Sequence, residues 1–142
     1  MGDLGNGMST EVWWTPAFPF KSSLTGETGQ KLAADWEAEM KKQWTQPLGY
    51  AHALWEVALD ALKRAKDPTS REAIRQAIIE TDLTTMAGPI RFKGGPTPNI
   101  CKTPIVGGQW VRGQKYRYDL KIVDNVSGRL VPVEGKLQPI QA

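Results

Sequence analysis

The sequence contains very few of the side chains that most often perform catalysis or bind transition metals. Among its 142 residues there is one cysteine, Cys101, and one histidine, His52. A single cysteine cannot form a disulfide within the chain, and a zinc site needs several His or Cys ligands. Nucleophilic centres of the Ser-His-Asp type also need a histidine base, for which only His52 is available, and no Walker or GxGxxG motif is present. We therefore expect no enzymatic activity, no metal and no cofactor.

Long apolar runs and dense clusters of one charge are also missing. No stretch of about 18 apolar residues occurs, so no transmembrane helix is expected. The first residues have neither the basic start nor the apolar segment of a signal peptide, so none is expected. The net charge of +3 combines 7 basic and 9 acidic residues in 1–67 with 11 and 6 in 68–142. Because acidic and apolar residues separate the basic ones, we expect no nucleic-acid partner.

The composition is typical of one folded domain. It is 40% hydrophobic and 23% charged, and the length is that of a single domain of ordinary size. Residues 1–9 are rich in glycine and polar side chains and are expected to form a flexible lead. Residues 11–20 are apolar and aromatic but carry two prolines, which predicts a strand of about four residues followed by an extended segment.

Apolar residues at helical spacing predict three helices, near residues 30–44, 48–65 and 70–81. The second helix is apolar over a wide face, which is typical of a helix that is central and buried. The third helix is preceded by Thr69-Ser70-Arg71-Glu72, which has the form of a capping box with Thr69 as the N-cap.

After Thr85 the pattern changes to short apolar pieces separated by glycine and proline. Residues 89–93 are predicted to form a short strand, and residues 105–111 and 115–124 a β-hairpin centred near Gly113, because apolar and polar residues alternate in the second arm. Residues 130–133 are predicted to add an edge strand. The fold class is therefore α/β, with about three helices, short strands and a C-terminal hairpin.

Four residues are candidates for contact with a ligand: Trp13, Trp14, Tyr50 and His52. Neighbouring residues of an extended segment point in opposite directions, so one of the two tryptophans should face the core and the other a cleft or a partner. Tyr50 lies at the start of the second helix, where free amides favour an anion. His52 is either a ligand contact or a hydrogen-bonded histidine at a helix start, and plain packing is the alternative for the aromatic residues.

The order of these segments resembles the C-terminal part of a type I periplasmic substrate-binding protein of an ABC transporter, in the branched-chain amino acid receptor branch. The resemblance covers residues 9–140. It is carried by five segments taken together: Val12-Trp13-Trp14-Thr15-Pro16, Gly49-Tyr50-Ala51-His52-Ala53-Leu54, Arg71-Glu72-Ala73-Ile74-Arg75-Gln76-Ala77-Ile78, Gly88-Pro89-Ile90-Arg91-Phe92 and Thr103-Pro104-Ile105-Val106-Gly107-Gly108-Gln109-Trp110.

The resemblance implies a C-terminal fragment of a two-lobe fold. Residues 10–46 and 99–142 would be second-lobe elements and residues 47–98 first-lobe elements. Members of this family are periplasmic, bind a small solute between the lobes and dock on a permease. Trp13, Trp14, Tyr50 and His52 fall at hinge-side positions of that cleft, and their aromatic character favours an amino acid or an aromatic or apolar carboxylate.

The same resemblance implies what this chain lacks. The Ser/Thr loops that hold the polar end of the ligand in the family have no counterpart here, so weak solute binding is expected. The sheet on which the second helix would pack is also absent, so its apolar face should be exposed and the chain should form a homodimer. The alternative function is a non-catalytic interaction domain that uses exposed aromatic residues.

Overall fold

The computed structural model describes residues 2–95 and 97–140. Its elements, in chain order, are a 3₁₀ turn Gly2–Gly5, β1 Ser9–Val12, α1 Gly29–Met40, α2 Gln46–Arg64, α3 Arg71–Ile79, β2 Asp82–Thr85, β3 Gly88–Arg91, β4 Val106–Arg112 and β5 Tyr118–Asp124. This is the mixed α/β architecture expected from the sequence.

Strands β1, β4 and β5 form a three-stranded antiparallel sheet with β4 in the centre. The predicted C-terminal hairpin is confirmed as the β4–β5 pair, in which Arg112 lies opposite Tyr118 across the turn. A four-residue N-terminal strand is present as predicted, but β1 begins two residues before the predicted segment and ends at Val12, which pairs with Val106. Position 108 in β4 has no room for a side chain, because a Cβ on Gly108 would lie 2.3 Å from Val12 Cγ2. The close packing of these strands therefore depends on glycine.

The three predicted helices are present, and the ends of two of them differ from the prediction. Helix α1 ends at Met40, four residues before Trp44, because Lys41 adopts a left-handed conformation with φ of 55°. The N-cap of α3 is Ser70, whose side chain accepts a hydrogen bond from the Ala73 amide at 3.3 Å. The capping box with Thr69 as N-cap was wrong by one position, since Thr69 instead donates from its amide and hydroxyl to Asp67 Oδ1.

Two short segments differ from the sequence prediction. The predicted strand near residues 89–93 is β3, and it forms a hairpin with a strand that was not predicted, β2. The edge strand predicted for residues 130–133 was wrong: this segment is a turn in which the Val131 amide donates to Gly128 O at 2.8 Å. Val131 is nevertheless fully buried, which explains its apolar character.

Residues 2–9 are attached to the sheet, which differs from the expected flexible lead. The Gly7 amide donates to Trp110 O at 2.7 Å, and the Trp110 amide donates to Met8 O at 2.9 Å. The Tyr118 hydroxyl donates to Gly2 O at 2.5 Å. The two bonds with Trp110 extend the β1–β4 pairing toward the N-terminus, and the bond from Tyr118 attaches Gly2 to β5.

The hydrophobic core lies between the three-stranded sheet and the aromatic segment that follows β1. Its buried members are Val12, Trp14, Phe18, Ala33, Met86, Val106, Leu120, Ile122 and Val131. Helix α2 contributes little apolar surface to this core. Its buried residues are Gly49, Ala53, Glu56 and Ala61. The prediction that α2 is a central, buried helix was therefore wrong, whereas the exposure of its apolar face is confirmed.

Candidate ligand-binding site

Trp13 and Tyr50 meet at the junction between β1 and α2. Their rings lie edge to face, with 4.8 Å between centroids and planes at 85°. The Trp13 amide donates to Gln46 Oε1 at 2.8 Å, and Gln46 Nε2 donates to Glu11 O at 3.2 Å. The Gln46 side chain thereby connects the first turn of α2 to the end of β1, and this connection fixes the position of Trp13.

A cavity of about 310 Å³ opens beside Trp13. It is lined by uncharged residues of three segments: Trp13, Gln43, Trp44, Thr45, Gln46, Pro47 and Trp110. Its size is at the lower end of the range of small-molecule sites, and a lining of apolar side chains, here three tryptophans and a proline, with a few polar groups is typical of such sites. The cavity can therefore receive a flat apolar group and offer hydrogen bonds from glutamine side chains.

The cavity is next to the positive end of α2. The first turn of this helix contains no acidic residue, and its N-cap, Thr45, makes no side-chain cap hydrogen bond. Lys63 and Arg64 lie at the opposite end, in the last turn. Because the N-terminal end of a helix carries a partial positive charge, this arrangement favours a ligand whose polar end is an anion.

Tyr50 is half-buried, and its hydroxyl has a partner within the protein. The hydroxyl forms a hydrogen bond with Thr103 Oγ1, which lies on the segment that leads into β4. The tyrosine ring therefore supports Trp13 from one side, while its hydroxyl joins α2 to that segment. Of the four residues expected from the sequence, the structure brings Trp13 and Tyr50 together.

Trp14 belongs to the core. Its side chain has no exposed surface, and it packs edge to face on Trp44 with 5.8 Å between ring centroids. A side chain without accessible surface cannot touch a ligand in this conformation. The two neighbouring tryptophans therefore point in opposite directions, as expected for an extended segment. Trp13 lines the cavity, and Trp14 lies in the hydrophobic core.

His52 lies on another side of α2, away from the cavity. Its Nε2 is hydrogen-bonded to Ser22 Oγ at 2.7 Å and lies 3.9 Å from Glu56 Oε2. Ser22 is buried and its hydroxyl also accepts from the amides of Leu24 and Thr25. Of the two interpretations of His52, a ligand contact or a hydrogen-bonded histidine at a helix start, the structure shows the second. Through Ser22, His52 holds the loop of residues 21–28.

Glu56 is the polar residue that the sequence reasoning did not single out. It is fully buried, and its carboxylate accepts from the Ser23 amide at 2.5 Å, the Ser23 hydroxyl at 2.8 Å and the Met86 amide at 2.8 Å. A buried carboxylate is tolerated when its lone pairs are satisfied in this way. Glu56 connects α2 to two separate loops.

Within residues 2–95 and 97–140, no group of three or more His, Cys, Asp and Glu side chains is placed to hold a metal ion. Over the same described residues, no helix has the length and apolar character needed to cross a membrane.

No protein-family model matches the sequence, and no curated protein matches it significantly. Solved structures do match. An ABC transporter substrate-binding protein from Sphaerobacter thermophilus is similar with a TM-score of 0.64 and 21% identity over 89% of this chain and 32% of that one. The leucine-binding protein LivK from Thermotoga maritima is similar with a TM-score of 0.63 and 18% identity over 88% and 33%.

These similarities establish the fold. The chain has the fold of a part of a periplasmic substrate-binding protein, as the resemblance in the sequence implied. It spans about a third of the length of the two solved structures. At 21% and 18% identity the similarity shows the architecture.

Proposed function

We propose that this chain is the C-terminal part of the solute-binding component of an ABC-type uptake transporter. Its ligand is an amino acid or an aromatic or apolar carboxylate, and it performs no catalysis. The observation that carries the proposal is the aromatic cavity beside Trp13, which lies at the positive end of α2. Both similar solved structures are named as binding proteins, one of an ABC transporter and the other for leucine, which supports this class of function.

In this proposal Trp13 provides the surface that contacts the ligand, and Tyr50 positions Trp13 through the edge-to-face contact. Gln46 offers the ligand the second N–H of its side-chain amide, because its oxygen holds the Trp13 backbone and its nitrogen already donates to Glu11 O. Trp14 stabilises the core beneath the cavity, and His52 stabilises the loop of residues 21–28 through Ser22. The ligand's carboxylate would lie near the first turn of α2.

The isolated chain is expected to bind its solute weakly. About two thirds of each of the two solved structures lies outside the part that this chain matches. A site that lacks part of its enclosing surface loses buried contacts and hydrogen bonds, each of which contributes to affinity. The whole protein would act in the periplasm and dock on a permease. The homodimer expected from the sequence also stays a prediction, for which α2 offers the surface.

A second function, a non-catalytic interaction domain, is favoured by one observation. Trp55 on α2 is 65% exposed and Leu54 is 69% exposed. Exposed large apolar side chains that lie side by side mark interaction surfaces more often than single ones do. This surface is separate from the cavity, so the two functions are compatible and can be tested independently.

The test is a titration followed through the indole N–H resonances of the six tryptophans. Leucine, phenylalanine, phenylacetate and benzoate serve as carboxylates, and glucose and putrescine serve as controls without one. We expect Trp13 to shift with the carboxylates at millimolar concentration, and the controls to give no shift. Absence of any Trp13 shift, or micromolar binding that perturbs other tryptophans and leaves Trp13 unchanged, would contradict the proposal.

A further inference from the structure

His52 and Ser22 form a hydrogen bond whose direction follows from the other bonds of Ser22. His52 Nε2 lies 2.7 Å from Ser22 Oγ. The same oxygen accepts from the amides of Leu24 and Thr25, each at 3.2 Å. A hydroxyl has two acceptor lone pairs and one proton, so the two amides occupy both lone pairs and the proton remains for the histidine. Ser22 therefore donates, and His52 Nε2 accepts.

This direction determines which form of the imidazole the structure needs. A ring nitrogen accepts a hydrogen bond only when it carries no proton, and the neutral ring then holds its proton on the other nitrogen. The bond with Ser22 therefore requires neutral His52 with its proton on Nδ1. Ser22 is only 3% exposed, and a buried hydroxyl that loses its acceptor is costly. The contact is thus sensitive to a proton on His52.

A second acceptor lies close to the same ring nitrogen. Glu56 follows one turn later on α2, and its Oε2 is 3.9 Å from His52 Nε2. Its other oxygen, Oε1, accepts from the amide and the hydroxyl of Ser23, whereas Oε2 accepts from the Met86 amide. Because each carboxylate oxygen has two lone pairs, Oε2 has the capacity for one more donor. A small rotation of the imidazole would bring a protonated Nε2 within hydrogen-bond distance of it.

The other charged side chains of the loop have surroundings of their own. Lys21 is exposed, and the Glu27 carboxylate lies 3.9 Å from Lys31 Nζ. The turn of residues 85–88, which also contacts the network, contains no titratable side chain. A positive charge on the imidazole therefore acts first on Glu56, whose carboxylate is fully buried and attracts it.

We propose that His52 is a pH-sensitive latch for the loop of residues 21–28. The neutral ring accepts from Ser22 and ties the loop to α2. The protonated ring is a donor at both nitrogens. If it stays at Ser22, three donors compete for two lone pairs; if it turns to Glu56, the Ser22 hydroxyl loses its acceptor. The latch is closed above the titration of His52 and opens as the pH falls through it, in the range where histidine ordinarily titrates.

The latch is independent of the proposed solute-binding function. None of its residues lines the cavity beside Trp13, and all of its donors and acceptors belong to this chain. Its effect is on the start of α1, because the loop ends at Thr28, the N-cap whose side chain accepts from the Lys31 amide. Opening of the latch therefore loosens the connection between α1 and α2.

Nuclear magnetic resonance tests the latch directly, because His52 is the only histidine of the chain. At about pH 8 the ring should be the tautomer with its proton on Nδ1. As the pH is lowered to about 5, the protection of the Leu24 and Thr25 amides from solvent exchange should fall about 3–10-fold, the effect of losing roughly one hydrogen bond. The fall should have the same midpoint as the His52 ring signals. A proton on Nε2 at pH 8, or amide protection that does not follow His52, would overturn the proposal.

His52→Gln is the matched control, because glutamine still offers an oxygen to the Ser22 hydroxyl and does not titrate. Its Leu24 and Thr25 amides should keep the same protection over the whole pH range. His52→Phe offers no acceptor and should show the low protection of the acid form at every pH. Should that variant fail to fold, the wild type and His52→Gln decide the matter by themselves. A pH response in His52→Gln equal to that of the wild type would assign the effect to another group and contradict the latch.

Discussion

Gly49 on α2 is in direct contact with the indole of Trp14: a Cβ at position 49 would lie 2.2 Å from Trp14 Cδ2 and Cε2. The helix can approach the core this closely because Gly49 has no side chain. The contact also fixes the start of α2 relative to the segment after β1, and thus the place where Trp13 and Tyr50 meet. A buried packing contact therefore determines the geometry of the exposed cavity.

Replacement of Gly49 by alanine should destabilise the protein by about 1–3 kcal/mol, the usual cost of overpacking a close-packed core. The methyl group has no space, and Trp14 is held between Gly49 and Trp44. Urea denaturation measures the change. Gly135→Ala is the control, because a Cβ at position 135 has no heavy atom within 4 Å. Equal stability of both variants would mean that α2 does not pack on Trp14 as described.

Replacement of Glu56 by glutamine should destabilise the protein by about 1–3 kcal/mol. One of its two acceptor oxygens becomes a donor, which leaves the donors of Ser23 or Met86 without a buried partner. Amide hydrogen exchange should accelerate at Ser23 or at Met86, whichever of them faces the new NH₂ group. Glu39→Gln, at an exposed position of α1, should change stability by less than about 0.5 kcal/mol. Unchanged exchange at both amides would contradict the role assigned to Glu56.

Glu72 at the start of α3 should remain ionised in strongly acidic solution. Hydrogen bonds from Arg75, and then from Gln76, lower the pKa of its carboxyl from the ordinary 4.5 to about 2. Because the pKa is lower in the folded state, the stabilising effect is complete above pH 4.5 and is lost as the pH falls toward about 2. The carboxyl ¹³C shift should titrate near 2 in the wild type and nearer 4.5 in Arg75→Met. A wild-type midpoint near 4.5 would contradict the hydrogen-bonded geometry.

The elements with strong periodicity were predictable from the sequence, and those defined by distant partners were not. Helices α2 and α3 and the β4–β5 hairpin follow from spacing that is visible over many residues. Strand β2 was missed because Asp82-Leu83-Thr84-Thr85 has one large apolar side chain, and its strand character comes from pairing with β3. The periodicity of α2 located the apolar stripe but did not indicate which face the protein covers.

The candidate site was predictable only where a local sequence pattern indicated it. Alternation in an extended segment separated Trp13 from Trp14 in principle, and the structure assigns the directions. Trp44 and Trp110 were missed as cavity residues because they are distant from Trp13 in the sequence and lie beside it only in the folded chain. Glu56 gave no signal, since its donors lie 33 and 30 positions away in the sequence.

The central claim is that the cavity beside Trp13 is the ligand-contacting surface, and a pair of matched tryptophan variants tests it most directly. Trp13→Leu removes the indole at the cavity, whereas Trp55→Leu removes an exposed indole on α2, outside the cavity. Binding of phenylacetate and leucine is measured for both by calorimetry at high protein concentration. The account predicts that Trp13→Leu loses measurable binding and Trp55→Leu retains the wild-type value. Retained binding in Trp13→Leu, or its loss in Trp55→Leu alone, would contradict it.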